Sequence, residues 1–362
     1  MADNKKTLTG RIPSAAWGGQ YKVAIVGASS LKGKEIKDVL EDHHFPAVDV
    51  VLLDDDSALG QIESVADEAT FIQNVTRSSF DKVDIVFFAG DSNFTRKHWS
   101  AAKSAGCAIV DSSYALETDA GIPIRSPWID RELEEQVVEV AKLDLETTAV
   151  ITAHPAAVML GLLLYRAQKT GSVRSSTVTC FEPVSEHGKQ GMDELHRQAL
   201  NLLSFQEMPK EIFDVQVAFN MLSRFGDEAK TSLDASAQRI AKHLKAITRF
   251  RLEMPALQLL HAPTFHSQTA AVYLELDRKV SAEDFALALK GEHVQIISAD
   301  DDAPSNVTAS GQDDILITVR ADAAREKGLW VWAAADNLRI SAITAAECAL
   351  ALGATRPTGK IQ

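Results

Sequence analysis

From Lys22 to Val26 the chain is a short apolar run that passes straight into Gly27-Ala28-Ser29-Ser30-Leu31-Lys32-Gly33, after which Ile36, Val39 and Leu40 recur at helical spacing. A strand that turns directly into a helix over so few residues has few ways to fold, and glycine at its corners is what permits the turn. Gly27 and Gly33 take the first and third glycine positions of a dinucleotide turn, which aims backbone N–H groups and a helix N-terminus at a pyrophosphate. Ser30 holds the middle position, bringing a hydroxyl donor together with a Cβ that crowds the approach. Two readings follow: a cofactor turn built from Gly27, Ser29, Ser30 and Gly33, or an inherited turn that binds nothing.

The next segments extend the pattern. Val48 to Leu53 ends in Asp54-Asp55-Asp56, Ile85 to Ala89 ends at Gly90 before a helix-compatible stretch from Asn93 to Ala105, and Cys107 to Val110 ends at Asp111-Ser112-Ser113. Apolar strands alternating with helical patterns predict a doubly wound parallel sheet of Rossmann type, with its ligand edge at the strand C-termini. Asp54, 21 residues after Gly33, is placed to bond an adenosine ribose diol, and with Asp55 and Asp56 beside it would repel a 2′-phosphate. NAD is therefore preferred over NADP as cofactor; the alternative is that the aspartate run is a solvated loop.

At 362 residues the chain is long enough for two domains. Past Pro155 the pattern changes: Ser175–Val184, Val215–Met221 and Leu257–Leu276 read as longer strands, with helices near Gly188–Ser204 and Leu233–Ile247, which predicts a mixed α+β domain. Ser281 resembles the start of a further capped helix, and a helix from about Leu338 to Leu352 closes the chain. The division is a loose arm over 1–20, a nucleotide-binding domain over 21–155 and a second domain over 156–337, with the helix at 338–353 packing back on the first.

Lys+Arg 37 against Asp+Glu 50 gives a net charge of −13, a field that repels nucleic acid and anionic membrane. Cys107, Cys180 and Cys348 form no metal-ligand or disulfide spacing, so no metal is expected and a cytoplasmic setting fits. The first 20 residues contain no apolar run of signal-peptide length. His154 and Pro155 interrupt the most apolar stretch, Ala149–Tyr165, which is too short to span a membrane.

Four landmarks stand in order: Gly27–Gly33, His154-Pro155-Ala156-Ala157, Val184-Ser185-Glu186-His187-Gly188 continuing to Glu194-Leu195, and Asp336-Asn337-Leu338-Arg339. From Tyr21 to Leu352 this layout resembles the aspartate-semialdehyde dehydrogenase family, and in particular its cysteine-less, USG-type members. The resemblance implies a semialdehyde-dehydrogenase-like dimerisation domain after the nucleotide domain, and a homodimer, with a tetramer as the larger alternative. It also implies a chemistry in which a cysteine thiolate attacks an aldehyde, a histidine moves the proton, hydride goes to the nicotinamide and phosphate cleaves the thioester.

The same resemblance marks the departures. The nucleophile position is Ala157, whose methyl group has no lone pair, and the base position is Gln268, which exchanges no proton near neutral pH. The family's substrate arginine aligns with His261, its substrate-orienting glutamine with Glu182 and its phosphate arginine with Glu117. Both glutamates place negative charge against an anionic substrate. His266 lies two residues before Gln268, on one face of a single strand, as a displaced base or a solvated histidine; Cys180 is a migrated nucleophile or a buried structural thiol. Asn337 either faces the nicotinamide or joins Asp336 in capping the last helix, while Trp330 and Trp332 read as packing residues. The expectation is a dinucleotide-binding protein of this family without phosphorylating activity. Its alternatives are an NAD-dependent oxidoreductase using direct hydride transfer, with Glu182 or His266 as acid or base, and a regulatory or scaffold partner of an active paralogue.

Overall fold

The computed structural model describes residues 21–65, 68–135, 142–298 and 300–356. The expected arm over 1–20 lies outside them.

Seven parallel strands form the first sheet: β1 (Tyr21–Val26), β2 (Ala47–Asp54), β5 (Gln73–Asn74), β6 (Ile85–Phe88), β7 (Ala108–Asp111), β8 (Ile124–Arg125) and β9 (Ala149–Thr152), in the order β5-β2-β1-β6-β7-β9-β8. A hairpin of β3 (Ile62–Val65) and β4 (Glu68–Phe71) lies between β2 and β5 in sequence. Both faces are covered, so the strands are apolar throughout: Val23 and Ile25 of β1 pack into one core cluster, Ala24 and Val26 into another. Helices α1 (Leu31–Asp42), α2 (Ser92–Ser104) and α3 (Pro127–Glu135) belong to this part of the chain.

The second sheet is mixed. It contains β10 (Val173–Glu182), β11 (Ala256–His261), β12 (Gln268–Leu276), β13 (Val294–Ile296), β14 (Ile315–Ala321) and β15 (Gly328–Ala335), ordered β11-β10-β12-β15-β14-β13. Helices α5 (Gly188–Leu203), α6 (Leu233–Ile247) and α7 (Ala282–Leu289) accompany it. Helix α4 (Pro155–Ala167) is buried along its whole length, as its all-round apolar sequence requires. Helix α8 (Asn337–Gly353) returns to the first sheet: Arg339 pairs with Glu35 at 3.3 Å and Asp42 at 2.7 Å on α1, and Gly353 packs on Tyr21 so tightly that a Cβ there would meet the phenol ring.

Two of the expected strands are corrected. Val215–Met221 is irregular, because its backbone bonds to side chains of α5: Gln198 accepts from the amides of Val217 and Ala218 and donates to the Val215 carbonyl, and Glu194 accepts from those of Ile212 and Phe213. Leu257–Leu276 is two strands, β11 and β12, parted by the bend at Pro263, since proline cannot donate to a ladder. Trp330 and Trp332 lie on β15 with their indole N–H groups bonded to Asp322 (2.7 Å) and the Pro304 carbonyl (2.8 Å), as packing residues.

Candidate active site

At the glycine turn the backbone of Gly27 is left-handed (φ 84°), and a Cβ there would collide with the backbone of Gly90. Ser30 caps α1: its hydroxyl accepts from Gly33 N (2.9 Å) and donates to the Ala89 carbonyl (3.0 Å), so the Cβ and hydroxyl in the middle position serve the fold. Asp54 is nearly buried and its two oxygens accept from the amides of Ser29 (2.8 Å) and Asp55 (2.9 Å). The amides of Leu31 and Lys32 in the first turn of α1 have no acceptor among the described residues, leaving two donors at the positive end of the helix.

The N-terminus of α4 lies across the sheet. His154 caps it, its Nδ1 accepting from Ala156 N (3.2 Å), with Pro155 in the first turn where its missing N–H is harmless. Ala157 follows, fully buried in the main core cluster. His154 donates its own backbone N–H to His243 Nδ1 (2.9 Å), and His243 Nε2 lies 2.9 Å from Glu117. Burial pushes the His154 imidazole well below its usual range, so it stands neutral.

Beside these histidines, the turn after β7 sets Tyr114 in the left-handed region (φ 62°). Asp111 braces that turn, accepting from Ser113 N and Leu116 N, each at 2.8 Å. The Tyr114 ring stacks on His154 (5.9 Å) and meets His243 edge-on (5.4 Å); the Lys32 ammonium sits 4.2 Å from its centroid and the Arg239 guanidinium 5.0 Å.

Glu117 requires a correction. It was expected to confront a substrate with unbalanced charge, yet it is held by Arg239 (2.7 Å), His243 (2.9 Å) and Lys242 (3.5 Å). Burial opposes its charge, but the His243 hydrogen bond and the Arg239 guanidinium hold its carboxyl down at about 2. Its negative charge is spent inside the protein.

At the rim of the second sheet, Glu182 pairs in register with His261 on β11, and one step beyond the Phe181–Thr269 pair it faces Gln268 on β12. All three are buried. Glu182 Oε1 is 3.0 Å from His187 Nε2, an ion-pair distance, while His187 Nδ1 meets the Thr231 hydroxyl at 2.8 Å. Burial takes the His261 imidazole down to about 4. Phe213 and Phe225 close over His187 and His261 with centroids 4.9–6.0 Å apart. His266 is corrected too: it lies in the bend before β12, separated from Gln268 by Ser267 in left-handed conformation (φ 66°), so the two do not share a strand face.

Asn337 joins the two halves. Its Oδ1 accepts from Ser267 N (3.1 Å) and the Ser185 hydroxyl (3.2 Å), and its Nδ2 donates to Glu186 (2.7 Å), whose other oxygen is 3.6 Å from His154. Asp336 is the cap of α8 and Asn337 its first residue. Thus Ala157, Glu117, Asn337 and the glycine turn meet around His154 and Tyr114, with Gln268 next to the Ser267 amide that Asn337 accepts from and Glu182 close enough for its charge to act on His154.

Two family models cover this chain: "Semialdehyde dehydrogenase, NAD binding domain" over residues 22–139 and "Semialdehyde dehydrogenase, dimerisation domain" over residues 164–340. The chain belongs to the semialdehyde dehydrogenase family. Among its relatives, a USG-1 protein homolog of Azotobacter vinelandii is 30% identical over 327 residues, spanning 88% of this chain and 93% of that one. An aspartate-semialdehyde dehydrogenase of Rickettsia bellii is 25% identical over 326 residues, spanning 88% and 94%. The crystal structure of aspartate semialdehyde dehydrogenase II from Vibrio cholerae, complexed with ASA, shares the fold with a TM-score of 0.80 at 23% identity, covering 92% of this chain and 98% of that one. This family member therefore carries an NAD(P)-binding domain and a dimerisation domain, and no helix among its described residues is long and apolar enough to cross a membrane.

Sequence reasoning missed Lys32, Tyr114, Glu186, His187, Arg239 and His243. Lys32 had a signal, a charged side chain inside the glycine turn; Arg239 and His243 had none, since they read as the polar face of a helix.

Proposed function

We propose that this semialdehyde dehydrogenase relative binds a dinucleotide, NAD in preference to NADP, and lacks the phosphorylating dehydrogenase reaction. The observation that carries the reading is the Ala157 methyl group, buried at the start of α4, where the resemblance puts a thiolate. No other thiol substitutes for it: Cys107, Cys180 and Cys348 are buried, with burial pushing Cys107 to about 11, Cys180 to about 12 and Cys348 higher still. Without a nucleophile the acyl-enzyme route is closed, a loss on the order of 10⁴-fold or more. Gln268 in the base position removes proton transfer as well.

The residues of the turn suit a dinucleotide. Gly27 lets the turn sit directly on the backbone of Gly90, where a Cβ would collide, and the free amides of Leu31 and Lys32 would hold a phosphate at the N-terminus of α1. Asp54 retains lone pairs beyond its two backbone bonds for a ribose hydroxyl, beside Asp55 and Asp56. When bound, the nicotinamide would supply hydride chemistry; the chain's own part is to orient it. Asn337, Ser185 and Glu186 form a bonded wall beside His154. We assign the protein a homodimeric state, supported by the half-exposed aromatic side of β10, β12 and β15 at Phe181, Tyr273, Trp330 and Trp332.

The test is an assay with aspartate semialdehyde, phosphate and either NAD or NADP, beside a calorimetric titration of both nucleotides. No turnover above the blank, with tighter NAD than NADP binding, is the expected result. Turnover at ordinary enzyme rates ends the reading.

A further inference from the structure

Lys32 occupies an unusual place for a lysine. It sits in the first turn of α1 yet its side chain leans back over the C-terminal edge of the sheet, where Nζ donates to the Ser112 carbonyl (3.2 Å) and lies 4.2 Å from the centroid of Tyr114. No carboxylate oxygen comes within 4.0 Å of it among the described residues. A second cation shares the same ring from 5.0 Å, the Arg239 guanidinium, itself engaged by Glu117. Glu186 and Asp111 are the nearest negative charges to act on the amine and Arg239 the opposing positive one. The neighbouring Tyr114 hydroxyl is buried without a hydrogen-bond partner, and the neutral His154 imidazole stacks against the same ring.

We propose that Lys32, which is half-exposed, is a carbonyl-capturing amine, forming an imine with small aldehydes beside Tyr114, His154 and Glu186. The geometry provides what such a lysine needs: a neighbouring cation, no close counterion and proton-handling groups within the same cluster. Desolvation and Arg239 act in the same direction, drawing the ammonium below the usual lysine range, with Glu186 and Asp111 opposing. In the reaction the ε-nitrogen adds to the carbonyl carbon, forming a C–N bond and a carbinolamine. The two amine protons leave with the former carbonyl oxygen as water, and C=N remains. No oxidant or reductant is consumed, so the step stands apart from the missing thiolate and does not rest on nucleotide binding.

The experiment uses the full chain without nucleotide. Brief incubation with propanal and sodium cyanoborohydride at neutral pH, followed by peptide mass mapping, reads the propyl adduct at each lysine. Lys32 is expected to be modified about tenfold faster than the exposed Lys279 for each unit by which its pKa is lower, with a pH–rate midpoint below that of Lys279. Lys32→Arg, which keeps the charge, is expected to remove the fast phase without changing the thermal midpoint by more than a few degrees. Modification of Lys32 no faster than Lys279 in the folded protein, or a fast phase that survives Lys32→Arg, overturns the proposal. Neither outcome bears on the dehydrogenase assay or the nucleotide titrations, so the two readings fail separately.

Discussion

Removing the Glu117 carboxylate leaves Arg239, Lys242 and His243 facing one another with nothing between them. Glu117→Gln is expected to destabilise the protein by about 2 kcal/mol, read as a lower urea midpoint, because charged hydrogen bonds carry more than neutral ones and their donors stay behind. An unchanged midpoint refutes that account. The pH dependence carries the same sign: the folded carboxyl titrates at about 2 against 4.5 unperturbed, so its contribution is complete above pH 4.5 and lost as pH falls toward 2. At this scale the sequence revealed which residue stood at 117 but not its company, since Arg239 and His243 lie more than a hundred positions away. Ala157 and Gln268 were legible because what matters there is the functional group they lack.

Elements were most legible where the hydrophobic period and the punctuation agreed. Helix α6 spans Leu233–Ile247 as read, and Ser281 caps α7 by accepting from Asp284 N at 3.0 Å. The stretch Val215–Met221 was misread because alternation alone cannot reveal where backbone hydrogen bonds go. Gln198, pointing out of α5, supplies the partners a strand would have provided, contacting Val217 N (2.7 Å), Ala218 N (3.1 Å) and the carbonyls of Pro209 (2.7 Å) and Val215 (3.0 Å). Gln198→Ala should cost about 2–3 kcal/mol and speed hydrogen exchange at Val217 and Ala218 while sparing β1. Exchange that accelerates equally in both segments contradicts a local role. At the other end of the site, Ser30→Ala is expected to lower stability by about 1 kcal/mol through the lost cap of α1, measured by thermal unfolding.

Taken whole, the molecule keeps several histidines neutral in its interior. His261 titrates at about 4 and burial also lowers His154 and His243, all against 6.5 unperturbed. Below pH 6.5 the unfolded chain binds the protons that the folded chain refuses, so stability is expected to fall as pH drops from 7 toward 4. His261→Gln should flatten part of that slope; an equal slope in the variant excludes His261 as a source. The doubly wound sheet followed from the alternation of strands and helices, and the return of α8 from its apolar composition and the family resemblance, whereas the joining of the two sheets through Asn337, Glu186 and Ser267 needed three dimensions, because each partner is individually ordinary.

The clasp between Tyr21 and Gly353 has a consequence for how the protein is made. A ribosome releases β1 more than three hundred residues before the helix that seals it, so the strip of the sheet that α8 covers stays bare until that helix emerges. Synthesis that stalls before Asn337 leaves a half-dressed product for chaperones or proteases to find.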